Sequence, residues 1–158
     1  MNVGRLIRTV CWRIALSGFL TDVYDRFDST ISGPIRLGAR GERAAERHLL
    51  RQGWVIVERG FSARSGEVDL IAVDGQTIVF VEVKTRSSYR KGHPAEAVDD
   101  AKQRHLTNTA YSYLKKKQLT DCSFRFDVIS IVWPDLTVSP TIEHFRNAFE
   151  PAGRFQLV

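Results

Sequence analysis

Two acidic residues and a lysine stand close together in a stretch that is rich in Val, Ile and Phe. Asp69 and Glu82 are thirteen positions apart, and Lys84 follows Glu82 by two positions. Two carboxylates can hold Mg²⁺ while leaving coordination positions for water and for phosphate oxygens. A lysine beside such an ion could orient the attacking water or stabilise developing charge, so these residue types suit metal-assisted chemistry on a phosphate. A simple cross-strand salt bridge is the alternative explanation for Lys84.

A β-hairpin is the element that must position these groups. Two runs with strand-forming composition, residues 66–73 and 76–85, flank the pair Asp74-Gly75. Because Gly accepts the positive φ that a tight hairpin turn needs, this pattern predicts two antiparallel strands. Alternate side chains of a strand share a face, so Glu67 is expected to point the same way as Asp69.

The register of the predicted hairpin is open between two choices. A two-residue turn at Asp74-Gly75 sets Glu67 opposite Glu82, whereas a four-residue loop sets Asp69 opposite Glu82. In either register like charges face one another, which is unfavourable unless a cation compensates them. The same face carries apolar residues nearer the turn, and they predict a cleft with an apolar floor formed by Ile71, Val73, Ile78 and Phe80.

A helix is predicted from Gly38 to about Gln52, with Gly53 as the signal that ends it. Its arginines form one narrow stripe, either a solvated face or a track along phosphates, at Arg36, Arg40, Arg43, Arg47 and Arg51. Glu42 falls on the other, core-facing side, where an acid costs stability unless it has a partner. We interpret Glu42 as an acid delivered to the hairpin site, and a buried ion pair is the alternative.

Beyond Lys84 the chain is polar and basic as far as His93. A loop of this composition beside an acidic site could hold a polyanion, with Tyr89 stacking on a base, or it could be a solvated loop. The candidate nucleic-acid contacts in this part of the chain are Arg86, Tyr89, Arg90, Lys91 and Lys102.

Asp99 suits the N-cap of a long helix predicted from Asp100 to Lys117. Its buried stripe is predicted to consist of Leu106, Ala110, Tyr113 and Leu114. Gln103 extends this stripe toward the hairpin site, which it could reach, or it is an ordinary surface glutamine. The four histidines of the chain are interpreted as structural or surface residues, because none is paired at metal-ligand spacing.

Further strands are predicted at residues 54–61, 124–133 and, as a short strand, 141–145. The resulting order, α-β-β-β-α-β-β, predicts an α+β domain in the form of an α/β sandwich. A mixed sheet with flanking helices is expected because the long helix crosses between strands.

The chain has 158 residues and a formal net charge of +5, which favour one domain and an anionic partner such as nucleic acid or a membrane surface. No apolar run approaches the roughly 18 residues that a transmembrane helix requires. Cys11 and Cys122 are far apart and lack metal-ligand spacing, so they are expected to be reduced thiols of a cytoplasmic protein.

Residues 1–35 are predicted to form an extension to a core domain of residues 36–150, with residues 151–158 as a tail. Apolar residues recur in the extension at helical spacing among arginines, which predicts a basic amphipathic helix. This helix either packs on the domain or is poorly ordered, or residues 1–20 dock to a membrane surface or a protein partner. A secretory signal is rejected because no small-x-small cleavage site follows the apolar run.

Over residues 36–150 several motifs together resemble the YraN family of bacterial proteins. That family is similar to the archaeal Holliday junction resolvases and to the PD-(D/E)XK nucleases, which have a restriction-endonuclease-like core. The motifs are Gly41-Glu42, Gly66-Glu67-Val68-Asp69-Leu70-Ile71-Ala72, Phe80-Val81-Glu82-Val83-Lys84-Thr85-Arg86, Ala97-Val98, Lys102-Gln103, Phe126-Asp127-Val128 and Ile142-Glu143-His144-Phe145-Arg146-Asn147-Ala148-Phe149.

The resemblance implies roles for the candidate residues. Asp69, Glu82 and Glu42 would be ligands of Mg²⁺ or Mn²⁺. Lys84 would be the motif lysine, Gln103 would match a helical glutamine of related nucleases, and Glu67 would be a supporting acid. Val68 stands where the superfamily's name places a proline.

The implied activity is that of a metal-dependent DNA endonuclease. Branched or single-stranded DNA in repair or recombination is the substrate class that the analogy with the resolvases offers. A homodimer would suit a symmetric junction. The alternative is a nucleic-acid-binding or scaffold protein that keeps the nuclease fold without turnover.

Overall fold

A computed structural model of the chain describes residues 37–88, 98–135 and 137–152. The predicted N-terminal extension lies outside these residues, and so do Tyr89, Arg90 and Lys91 of the basic loop. All but the first two residues of the predicted C-terminal tail also lie outside them.

In the described residues, two helices and five strands follow one another in the predicted order, which confirms the α+β class. The elements are α1 (Leu37–Arg51), β1 (Val55–Ala63), β2 (Gly66–Asp74), β3 (Thr77–Arg86), α2 (Asp100–Lys116), β4 (Phe124–Val132) and β5 (Thr141–Phe149). The strands form one sheet in sequential order, with β3 and β4 parallel and the other neighbours antiparallel. Because parallel neighbours need a crossover connection, α2 lies between β3 and β4 in the chain.

Each face of the sheet is covered by one helix, so the molecule has the predicted sandwich of helix, sheet and helix. Alternate strand residues contribute to two separate apolar clusters, as the period of a strand requires. One cluster joins the sheet to α2 and includes Ile71, Val73, Ile78, Phe80, Leu106, Ala110, Tyr113 and Leu114. The other joins the sheet to α1 and includes Ala44, Ala45, Leu49, Leu70, Ala72, Val79 and Val81. The apolar face predicted for the hairpin and the predicted buried stripe of α2 are thereby confirmed, but α2 covers this face, so it is part of the core and not the floor of an open cleft.

The hairpin of β2 and β3 has a two-residue loop, but the loop is Gly75-Gln76 rather than Asp74-Gly75. Asp74 pairs with Thr77, and Gly75 has the positive φ of 61° that favours glycine. From there the ladder runs to the pair Leu70 and Val81. One step further in the same register, Asp69 lies across from Glu82.

The ends of both helices carry the expected signals. Helix α1 ends at Arg51, two residues before Gly53. The Oδ1 atom of Asp99 accepts a hydrogen bond of 2.8 Å from the backbone N–H of Lys102, which confirms Asp99 as the N-cap of α2. No helix within the described ranges is both long and apolar enough to cross a lipid bilayer.

The last strand is longer than its alternating pattern predicted, because β5 continues to Phe149 instead of ending near residue 145. A register shift in its pairing with β4 lies between Phe126 and Val128, and Asn147 there has a φ of 48°. Beyond this irregularity Phe149 stacks on Phe126, with ring centroids 4.7 Å apart. The aromatic contact extends the strand past the point where its alternation stops.

Candidate active site

Glu82 is the most deeply buried of the predicted site acids, with 4% of its surface exposed. Two ammonium groups contact the same carboxylate oxygen, Oε1: Lys84 Nζ at 2.7 Å and Lys102 Nζ at 3.0 Å. The other oxygen, Oε2, is buried and accepts no hydrogen bond from any described residue. A buried polar atom without a partner is costly, so this oxygen marks a place where a further positive or hydrogen-bonding group would be stabilising.

Asp69 lies on the neighbouring strand and is partly buried. Its Oδ2 atom accepts a 2.6 Å hydrogen bond from the backbone N–H of Val83, which fixes the carboxylate next to Glu82. Burial, followed by the negative charge of Glu82, raises the pKa of Asp69 to about 6. The Val83 hydrogen bond and Lys102 oppose this rise, whereas Glu42 adds to it. The pair is therefore short of positive charge even with two lysines nearby.

Glu42 is exposed, so the prediction that it faces the core is wrong. The buried residues of α1 are Gly41, Ala44, Ala45, Glu46 and Leu49. At 100° per residue Glu42 lies on the same side of the helix, one turn before Glu46, but its side chain is exposed. The acid that the core side of α1 does bury is Glu46, and Arg59 of β1 covers it with two hydrogen bonds, one of them 3.0 Å long. The ion pair considered as an alternative for Glu42 is made by Glu46 instead.

Glu42 nevertheless lies close enough to the strand acids to influence their protonation. Partial desolvation and the charge of Glu67 raise the pKa of Glu42, while Glu42 in turn raises the pKa of Asp69. Glu67 is exposed, and its Oε1 lies near Gly60, where an added Cβ would meet it at 3.2 Å. The four predicted acids thus form a line from Glu67 through Glu42 and Asp69 to Glu82.

The close approach of α1 to β3 brings Glu42 to this end of the sheet. Gly41 is buried against Thr85, and a Cβ atom at position 41 would lie 1.7 Å from Thr85 Oγ1. No side chain larger than hydrogen fits there without movement of the helix or the strand. In the motif Gly41-Glu42, Gly41 therefore permits the close approach of α1 to β3, and this approach places Glu42 near the other acids.

The remaining candidates have different outcomes. Lys102, proposed as a nucleic-acid contact, is paired with Glu82 and lies at the carboxylates. Gln103 donates through Nε2 to the carbonyl oxygen of Val98 at 3.0 Å, so its amide is directed to the start of α2. Arg86 lies at the end of β3, and its carbonyl oxygen accepts a hydrogen bond from the backbone N–H of Trp133.

The arrangement can hold a cation with oxygen donors from two neighbouring strands. Asp69 and Glu82 supply carboxylate oxygens, which suit Mg²⁺ or Mn²⁺. Among the described residues, no three His, Cys, Asp or Glu side chains already converge as a metal cluster. Glu42 would have to move its side chain to become a third ligand.

Sequence reasoning missed a second buried polar network, centred on Asp127 of β4. This residue is fully buried and contacts Arg125 Nε at 3.0 Å, His144 Nε2 at 2.9 Å and the backbone N–H of Asn147 at 2.9 Å. Arg125 continues to Asp74 at 2.9 Å and lies over the ring of Trp54. The signal in the sequence was an acid in an apolar strand, because only Arg125 is local, whereas His144 and Asn147 lie 17 and 20 residues away.

The fold and the paired strand carboxylates define a class of α+β protein whose mixed sheet holds an acidic site beside two lysines. Residues 41–131 match the uncharacterised protein family UPF0102, which is the YraN family. The chain belongs to this family, so the resemblance seen in its motifs is confirmed.

Three relatives, each matched over more than 90% of its own length, support the assignment. A UPF0102 protein of Rhodopirellula baltica is 42% identical over 155 residues, which cover 95% of this chain and 92% of the relative. A UPF0102 protein of Geobacter metallireducens is 48% identical over 116 residues, or 73% of this chain and 93% of the relative. One of Chlorobium limicola is 43% identical over 120 residues, again 73% of this chain and 93% of the relative.

Proposed function

We propose that the protein is a divalent-metal-dependent phosphodiester hydrolase that cleaves DNA. The observation that carries this proposal is the state of the strand carboxylates. Glu82 is buried with one oxygen lacking a partner, and the adjacent Asp69 has a pKa raised to about 6. A buried acid whose pKa is perturbed by desolvation and by a specific neighbouring charge is a candidate for a functional site.

Asp69 and Glu82 are the residues that would hold the ion, which would be Mg²⁺ or Mn²⁺. The chemistry of the donors fits, because both are carboxylates and the unpartnered Oε2 of Glu82 is free to face a cation. When bound, the ion supplies Lewis-acid polarisation of the scissile phosphate and makes water more acidic. Glu42, at the margin of the site, is proposed as a further acid, with Glu67 in support.

Lys84 is proposed as the group that positions the attacking water. Its Nζ lies 2.7 Å from Glu82 Oε1, so the carboxylate fixes the ammonium group beside the acids. From there it can donate hydrogen bonds and stabilise the negative charge that develops in the transition state. Gln103 keeps the first turn of α2 in place through Val98 and is proposed as a positioning residue.

The substrate proposed is DNA with a branched or single-stranded region, acted on in the cytoplasm during repair or recombination. The net charge of +5 favours a polyanionic partner, and Arg86 with the basic loop that follows it would contribute to binding. A homodimer is proposed for symmetric junctions, since a two-fold axis would present two sites to two strands.

A second function follows from a different feature of the same site. Lys84 and Lys102 both contact Glu82 Oε1, so this carboxylate already has two positive partners without an ion. That arrangement favours a protein that binds nucleic acid and keeps the nuclease fold without turnover.

The two proposed functions differ in whether the protein cleaves nucleic acid. Purified full-length protein with Mn²⁺ or Mg²⁺ should nick single-stranded, flapped or four-way DNA. RNA substrates of the same shapes test whether the protein requires deoxyribose. Asp69→Asn and Glu82→Gln should each reduce the rate by at least about a hundredfold, since each removes a charged ligand. The exposed acid Asp135, changed to Asn, is the matched control and should leave the rate unchanged. Salt-sensitive binding without cleavage by the wild type would favour the second function.

A further inference from the structure

An open groove of about 400 Å³ lies along the side of α2, away from the acidic site. Its lining comes from the turn between β1 and β2 and from one face of the helix: Arg64, Ser65, Asn108, Tyr111, Ser112 and Lys115. None of these residues is acidic, and the two charged ones, Arg64 and Lys115, are exposed cations. The groove therefore presents positive charge above a largely apolar surface.

The walls of this groove are fixed relative to one another. Ser65 and Thr109 are hydrogen-bonded through their hydroxyl groups at 2.9 Å, which ties the turn to the helix. The ring of Tyr111 packs edge-on against Phe124, with centroids 5.6 Å apart. An aromatic ring held in place beside two cations and an amide offers a surface for a base next to contacts for phosphates.

Helix α2 connects the groove to the carboxylates. Lys102, in its first turn, contacts Glu82, and Lys115, in its last turn, lines the groove. The two lysines are thirteen residues apart, so at 1.5 Å per residue they are separated by about 20 Å along the helix axis. At 100° per residue the two side chains also lie about 140° apart around the axis, so a strand that joins them must pass around the helix and needs more than roughly six nucleotides at about 3.4 Å per nucleotide.

We propose that this groove binds the sugar-phosphate backbone of a single DNA strand that continues along α2 from the acidic site. Arg64 and Lys115 contact phosphates, and Tyr111 and Asn108 contact the sugar or base between them. The inference rests on the proposed function for its substrate class, but it concerns binding and not cleavage. It adds a second anchoring point that neither the hairpin nor the basic loop provides.

The test is the affinity of the full chain for labelled single-stranded DNA in Ca²⁺, measured by fluorescence anisotropy over a range of salt concentrations. The double variant Arg64→Ala, Lys115→Ala should bind a strand of about 20 nucleotides five- to thirtyfold more weakly than the wild type. Its slope of log affinity against log salt should fall by about 1.4, the value for two lost phosphate contacts on a single strand. A strand of about four nucleotides, too short to span roughly 20 Å, can occupy the groove or the acidic site but not both, so it should bind the wild type more weakly than the longer strand does.

The control is Arg146→Ala, which removes a positive charge from an exposed position of β5, outside both the groove and the arginine stripe of α1. It should weaken binding less than the groove variant, and thermal unfolding should report that both are folded. Equal losses in the two variants, or wild-type affinity in the groove variant, would overturn the groove as a binding site, whatever the cleavage assay gives. Binding that depends on the groove in a protein that does not cleave would overturn the hydrolase alone.

Discussion

Asp69 and Asp127 are acids of the same sheet, on strands that are two apart in its order. Their surroundings shift their pKa values in opposite directions. Around Asp127, burial favours the neutral form, but hydrogen bonds from His144, Arg125 and the Asn147 backbone outweigh it and hold the pKa below its usual value. Around Asp69, burial and the charge of Glu82 raise the pKa to about 6. One acid is stabilised as an anion, and the other is not.

This contrast separates a structural acid from a candidate functional one. The Asp127 network is complete within the described residues, because a cation, an imidazole and a backbone amide all reach its two oxygens. At the hairpin, the Oε2 atom of Glu82 accepts no hydrogen bond from a described residue, although two lysines contact Oε1. A fold that satisfies one buried anion fully and another only in part has kept capacity for a ligand at the second site.

The largest effect is expected at the complete network. Asp127→Asn should lower the free energy of unfolding at pH 7 by about 3–5 kcal/mol, because Arg125 loses its buried counter-charge. Urea denaturation measures this loss, with the exposed Asp135→Asn as control. Because the folded pKa of Asp127 is lowered, its contribution is present above the unfolded pKa of about 3.9 and is lost as pH falls through the folded value. A variant as stable as the wild type would mean that the network contributes nothing to folding.

The opposite sign is expected at the hairpin. Asp69 has a folded pKa of about 6, above its unfolded value, so the folded state holds its proton more tightly. Stability should therefore fall as pH rises from about 4 to about 6, by at most about 3 kcal/mol. Asp69→Asn removes the charge and should make the metal-free protein more stable than the wild type at pH 7.5, but not at pH 4.

The matching measurement is urea denaturation in EDTA at both pH values, repeated with Mg²⁺. The ion should stabilise the wild type at pH 7.5 and leave Asp69→Asn unchanged. If Asp69→Asn is the less stable protein in EDTA at pH 7.5, the carboxylates are compensated after all and the comparison with Asp127 fails.

A smaller effect is expected where α1 meets the hairpin. Gly41→Ala should cost about 1–3 kcal/mol of unfolding free energy, because the new methyl group overlaps Thr85. The control is Gly38→Ala in the same helix, where nothing lies within 4 Å of the added atom; it should be neutral or stabilising by up to about 1 kcal/mol. Thermal unfolding compares the two, and adding Thr85→Ala to the first variant should recover part of its loss.

The smallest effect on stability is expected from Glu42→Gln. Its side chain is exposed, so the free energy of unfolding should change by less than about 0.5 kcal/mol. Because the charge of Glu42 raises the pKa of Asp69, the variant should lower that pKa, which NMR titration of the Asp69 carboxyl carbon can follow. An unchanged pKa would place Glu42 outside the acidic site.

The sequence predicted the element order and the hairpin because both depend on local patterns. Alternation along β2 and β3 placed Ile71 and Phe80 on one face, and the structure confirms this apolar face, which is buried in the core beneath α2. The register was harder, since Asp74-Gly75 indicates a turn without deciding which residues close it. The structure pairs Asp74 with Thr77. This register depends on backbone pairing, which the side chains do not reveal.

The errors arose where a contact joins distant segments. Helical periodicity placed Glu42 on the side of α1 that carries Ala45 and Leu49, but it could not tell that the side chain would be exposed there. It also could not reveal that Arg59, thirteen residues later, would cover Glu46. The partners of Asp127 lie as far as twenty residues away at Asn147, and no short motif encodes such a network.

Both outer strands of the sheet are interrupted, and this limits how the protein could form a dimer. In β1 the pairing shifts between Ile56 and Glu58, and Gly60 has a φ of 58°. In β5 the pairing shifts opposite Phe126 to Val128, with Asn147 in the left-handed region. A row of backbone donors and acceptors broken in this way is a poor template for an added strand. Two copies joined by continuation of their sheets would meet these breaks at either edge, so a functional pair is expected to associate through helices or loops instead.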